Sequence, residues 1–153
     1  MIKILSMAVV AACLCAGAGQ AAAQAAGEAA YVKECAACHM AFPAQLLPAR
    51  SWTAVMQGLA SHFGENAALD AASTTAIAAY LAAHAADAPH MDRHALRGLA
   101  ANATPLRITE TPAWIREHKG EVSAADFASP KVKTKSNCAA CHRDAARGIF
   151  GDD

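Results

Sequence analysis

Apolar positions recur with helical spacing in three stretches of the chain. Over 51–63, Trp52, Val55, Met56, Leu59 and Phe63 lie three or four residues apart, which predicts one face of an amphipathic helix. His62 projects from the flank of that stripe, and Gly64 stops the helix. Asp70 offers an N-cap for an Ala-rich helix over 71–86, with Ile77, Tyr80, Leu81 and His84 as its stripe and Pro89 as its stop. Thr111 and Pro112 form an N-cap and N1 pair. The short helix they open carries Trp114, Ile115 and His118 on one face and ends at Gly120. Ser123 and Asp126 fit a capping-box-like start for one more turn before Pro130. A further helix is expected from Gly27 to Cys38, followed by a loop from Met40 to Arg50 marked by Pro43 and Pro48. Residues 90–103 are weakly patterned and 105–108 read as extended. No β-rich segment or nucleotide-type Gly loop is visible, so a mostly α protein is expected.

The first 25 residues read differently. Lys3 supplies a positive start, Ile4 to Ala12 a short apolar run, and Ala21-Ala22-Ala23 and Ala23-Gln24-Ala25 two A-x-A cleavage choices, the signature of a secretory signal peptide. The run is short for a membrane span. Val10-Ala11-Ala12-Cys13 loosely fits a lipid-modification site, but the later A-x-A sites are the better match. The expected location is therefore the periplasm.

In 153 residues, aromatics make up only 5%, so the side chains alone would form a thin core. Formal net charge is zero, which gives no general case for nucleic-acid or membrane-surface binding. The charge is uneven. Residues 26–90 hold five acids against Lys33 and Arg50, a net of −3, whereas ten Lys and Arg from Met91 onward face eight acids, a net of +2. Lys131, Lys133, Lys135, Arg143 and Arg147 flank one short region and are a candidate docking face for an acidic partner.

The chemistry lies in a repeat. Cys35-Ala36-Ala37-Cys38-His39 recurs identically as Cys138-Ala139-Ala140-Cys141-His142. C-x-x-C-H is the attachment sequence for c-type haem. The two thiols add across the porphyrin vinyl groups, and the following His supplies the proximal imidazole. A pair of disulfides would need no His after either pair, and a redox dithiol would need a βαβ context that is missing here. Two zinc knuckles would lie much closer together in sequence. Two haem c groups are expected, bound by Cys35, Cys38, Cys138 and Cys141, with His39 and His142 on iron. Export fits this, because c-type haem is attached outside the bacterial cytoplasm.

The sixth iron ligand decides function: a filled position suits electron transfer, an open one suits gas binding or catalysis. His62, His84 and His118 each share a face with large apolar residues, and periodicity does not choose among them. His90 and His94 lie beside Asp92 and Arg93 and read as solvated. Of the methionines, Met40 follows His39 too closely to reach the opposite haem face, and Met56 reads as core.

Several segments carry a resemblance that does choose. Cys-Ala-Ala-Cys-His-Met-Ala-Phe-Pro (35–43), Leu-Pro-Ala-Arg-Ser-Trp (47–52), Leu-Ala-Ser-His-Phe-Gly-Glu (59–65), Leu-Arg-Ile-Thr-Glu-Thr-Pro (106–112) and the final Cys-Ala-Ala-Cys-His are similar to the bacterial dihaem cytochrome c family. The resemblance implies a periplasmic electron carrier with two low-potential, bis-histidine haems. It implies His62 and His118 as the distal ligands. Sequence nearness pairs His62 with the first haem and His118 with the second, a crossed pairing staying open. It implies as redox partners a small oxygen-binding monohaem cytochrome c and a membrane b-type cytochrome. The expected architecture is a cytochrome c-like N-terminal haem lobe, residues 26–89, and an irregular, short-helix C-terminal haem lobe, residues 90–153. The rival functions are a dihaem peroxidase-like enzyme and a gas-binding haem protein. Both need one open iron, and no distal acid-base pair stands out for the first.

Overall fold

A computed structural model describes residues 3–151, with side chains from Gly19 onward. Cys13 and Cys15, and with them the lipid-modification reading, lie outside the described side chains. The described residues form five α-helices joined by short 3-10 turns, with no named strand. The helices are α1 (Lys3–Cys35), α2 (Ala49–Gln57), α3 (Ala71–Ala83), α4 (Pro112–His118) and α5 (Ala124–Ala128).

α1 runs without a break through the expected cleavage region. Most residues over 19–26 are exposed, and burial begins at Gly27. There α1 crosses α3 so closely that a Cβ on Gly27 would lie 2.7 Å from the Ala76 carbonyl oxygen and 2.9 Å from Tyr80 Cβ. The main core follows from this crossing. Tyr31 of α1, Trp52 and Met56 of α2, Ile77 and Leu81 of α3, and Leu47 of the intervening loop are all buried. Two polar aromatics pin that loop from within. Tyr31 Oη donates to the Phe42 carbonyl and Trp52 Nε1 to the Ala44 carbonyl, both at 2.7 Å.

Caps set most helix starts. Asp70 Oδ1 accepts from the Ser73 N–H at 2.9 Å, Thr111 Oγ1 accepts from the Trp114 N–H, and Ser123 and Asp126 form a full capping box, each as the sequence predicts. α2 starts after Pro48, which has no capping side chain. A distant residue serves instead: Asp87 Oδ1 accepts from the Ala49 N–H at 2.7 Å, and its other oxygen lies 3.7 Å from Arg50.

The largest departure from expectation is the end of α2. Periodicity predicts a helix through Phe63, but α2 stops at Gln57. A 3-10 turn over Leu59–Ser61 follows, then a tight reversal in which His62 and Glu65 exchange backbone hydrogen bonds. Phe63 and Gly64 take left-handed φ values of 52° and 105°. Phe63 is thus 47% exposed rather than part of the core stripe. The reversal is local and strained at a non-glycine residue, and its effect is to present the His62 ring at the tip of a turn. Ile115, expected on the inner face of α4, is also outward, with Ala113 buried in its place. α3 ends three residues earlier than predicted, at Ala83, and the Ala86 N–H then bonds the Leu47 carbonyl.

Candidate haem-binding site

The first C-x-x-C-H motif begins on the last residue of α1 and unwinds into turns. His39 Nδ1 lies 2.7 Å from the Met40 carbonyl. That bond fixes the ring and leaves Nε2 as the free ligand atom. Phe42, held by Tyr31, stacks on the same ring at 5.0 Å. Facing it is His62, with ring centroids 6.1 Å apart and planes inclined by 22°. Burial, then the neighbouring His39 and Arg107, lower the pKa of His62, favouring the neutral imidazole that binds metal.

The second motif forms a 3-10 turn over Cys138–Ala140. His142 faces His118 with ring centroids 6.2 Å apart and planes at 89°. His118 is the last residue of α4. Its Nδ1 lies 2.8 Å from the Trp114 carbonyl, and its ring stacks on Trp114 at 4.1 Å. The two histidines open onto a cavity of about 750 Å³ whose walls include Trp114, Phe127, Val132, Cys138 and Cys141. Leu46, from the loop after the first motif, reaches this cavity too.

These dimensions test the fit of haem. Two metal–imidazole bonds of about 2 Å on opposite sides of one ion place the ring centroids roughly 6 Å apart. Both histidine pairs have that separation. Among the described residues no cluster of three or more His, Cys, Asp or Glu converges on one point, so each pair offers two axial positions and no equatorial set. A porphyrin brings its own four nitrogens. The four motif cysteines form no disulfide. Burial, then Glu34, pushes the Cys35 thiol up to about 11, and burial raises Cys138. A redox dithiol needs the opposite shift.

Of the remaining histidines, His94 also lines the second cavity, and His84 and His90 do not. His84 Nδ1 lies 2.9 Å from the Tyr80 carbonyl and its ring packs on Tyr80. His90 is exposed, and His94 lies 3.5 Å from Glu117. Met56 is core. Lys131, Lys133, Lys135, Arg143 and Arg147 are all exposed; the Lys135 ammonium lies over the Trp114 and Phe127 rings at 5.7 and 5.8 Å, and Arg147 pairs with Asp144. Sequence reasoning missed Arg107, which covers Phe63 at 4.1 Å, and Phe127 and Phe150, which approach the second pair. Periodicity carried no signal for any of the three, because all lie outside the long stripes.

Comparison with known proteins places the chain in a family. The family model described as dihaem cytochrome c matches residues 31–150. Among solved structures, a diheme cytochrome c from Rhodobacter sphaeroides is 55% identical over 79% of this chain and 94% of its own, with a TM-score of 0.73. A second structure of a Rhodobacter sphaeroides protein called DHC is 50% identical over 79% and 95%, with a TM-score of 0.66. A diheme cytochrome type c from Shewanella baltica is 40% identical over 82% and 88%, also at 0.66. No curated protein matches. With a family match over most of its length and relatives of this identity, the chain belongs to the dihaem cytochrome c family and carries two haem c groups.

Proposed function

We propose that this protein is a periplasmic electron carrier whose two irons are both six-coordinate. Cys35 and Cys38 hold one haem and Cys138 and Cys141 the other, with His39 and His62 on the first iron and His142 and His118 on the second. The observation that carries this reading is the pair of facing imidazoles at 6.1 and 6.2 Å. The haems supply a one-electron change at iron. The chain's residues hold His39 and His118 by a carbonyl bond each, set an aromatic ring against all four imidazoles and wall the second pair with Trp114, Phe127 and Val132. With both axial positions filled, no iron is left for substrate, which favours electron transfer over peroxidase or gas-binding chemistry.

The exposed stretch before Gly27 supports signal cleavage there, because removing it disturbs little packing. The partners in this reading are a small oxygen-binding monohaem cytochrome c and a membrane b-type cytochrome, on the strength of the family resemblance.

The test is the visible spectrum of the reduced protein before and after carbon monoxide. The wild type should not change. His62→Ala and His118→Ala should each turn one haem high-spin and reactive to the gas. A wild-type protein that binds carbon monoxide at half its haem would sink the carrier reading in favour of an open-site function. A variant that keeps the wild-type spectrum would remove that residue from the ligand set.

A further inference from the structure

The two sites share an arrangement that the ligand set does not require. Behind each distal histidine is an aromatic ring, and over each ring is a cation. At the first site His62 meets the edge of Phe63 at 4.8 Å, and the Arg107 guanidinium lies 4.1 Å from the centre of that ring. At the second, His118 stacks on Trp114 at 4.1 Å, and the Lys135 ammonium lies 5.7 Å above the indole. The cations come from unrelated segments, one before α4 and one before the second motif. Arg107 lies 107 − 62 = 45 residues along the chain from His62, and Lys135 lies 135 − 118 = 17 from His118, so neither placement follows from local geometry.

We propose that Arg107 and Lys135 are potential-setting cations, each raising the reduction potential of the haem whose distal histidine it backs. The proposal rests on His62 and His118 being iron ligands. Its physics is charge bookkeeping at iron: the oxidised centre carries one positive charge more than the reduced one, so a fixed cation nearby disfavours the oxidised form. Phe63 and Trp114 hold the cations by their ring faces. The first site has a counterweight. Glu110 Oε1 lies 3.6 Å from Arg107 Nε, so the carboxylate offsets part of the guanidinium's field. Arg107 and Glu110 are both about half exposed or more, and solvent screening reduces the effect accordingly.

The experiment is a potentiometric titration of the holoprotein followed by electron paramagnetic resonance. The near-parallel imidazole planes at the first site and the perpendicular planes at the second give the two ferric low-spin centres different signals. Perpendicular planes leave two iron d-orbitals nearly degenerate and give a strongly axial spectrum; parallel planes split them and give a rhombic one. Arg107→Gln should lower the potential of the rhombic centre alone, cutting its ferrous-to-ferric ratio at a fixed poise roughly three- to tenfold. Lys135→Gln should do so for the axial centre alone. Glu110→Gln should raise the rhombic centre, and Arg107→Lys should largely restore the wild-type value. An Arg107→Gln protein with both potentials unchanged overturns the proposal, as does one whose first haem becomes open to carbon monoxide, because Arg107 would then hold the ligand rather than set the charge. His62→Ala separates the two failures: if that variant stays fully low-spin, the ligand assignment falls; if it turns high-spin while Arg107→Gln changes nothing, only the cation proposal falls.

Discussion

Thr111→Val tests whether one buried hydroxyl holds the second site together. Thr111 is 2% exposed and caps α4, the seven-residue helix that ends in His118. Its Oγ1 accepts from the Trp114 N–H at 3.3 Å and donates to the Ile108 carbonyl at 2.8 Å. Valine preserves shape and burial but removes both bonds. Loss of the cap costs about 1 kcal/mol and loss of the second hydrogen bond about 1 kcal/mol more. The Ile108 carbonyl is not orphaned, because the Thr111 N–H still donates to it, so no larger penalty is due. About 2 kcal/mol corresponds to a roughly 25-fold rise in the opening constant of α4. With His118 on the second iron as proposed, carbon monoxide reaches that haem when α4 opens and His118 leaves. Uptake by the reduced protein should therefore be roughly 25-fold faster at that haem, by the same conversion, and unchanged at the first. Thr111→Ser should return it to the wild-type rate. Equal rates in wild type and variant would refute the role of the cap. Equal acceleration at both haems would show general loosening instead of local control.

Two further outcomes follow from the packing. Gly27→Ala places a methyl against the Ala76 carbonyl and Tyr80, and overpacking of this kind costs about 1–3 kcal/mol; denaturant melts should show the loss, and an unchanged midpoint would mean that α1 can shift off α3. Acid should weaken the caps of α3 and α5. Hydrogen bonds from Ser73 lower the pKa of Asp70, and those from Ser123 lower that of Asp126. Each contribution is therefore fully present above the ordinary value of 3.8 and is lost as pH falls through the lower folded-state value. Asp70→Asn keeps a capping oxygen and should flatten the stability profile of α3 below that pH, measured by amide exchange; a profile identical to wild type would remove Asp70 from the acid response.

Much of the site is legible in the sequence because its chemistry is encoded at short range. The repeated C-x-x-C-H fixes two cysteines and a histidine within five residues, and no folding is needed to see it. The caps of α3, α4 and α5 are equally local, since a side chain three residues from an N–H either reaches it or does not. Helical class follows from periodicity and from the lack of β-rich segments. The distal ligands were a different matter. His84 and His118 have the same local geometry, each at the end of its helix with Nδ1 near the carbonyl four residues back. Periodicity does not separate them; the resemblance did, and in the structure His142 lies opposite one and Tyr80 beside the other. His62 was chosen by resemblance on a helix that does not extend that far. The strained turn that carries it, with Phe63 at positive φ, runs against the apolar stripe, and a periodicity argument has no means to anticipate it. Arg107, Lys135 and the Asp87 cap of α2 share that cause. Their partners lie 38 residues away in the case of Asp87 and Ala49, and contacts of that range are set by how helices pack, which the order of residues along one element does not record.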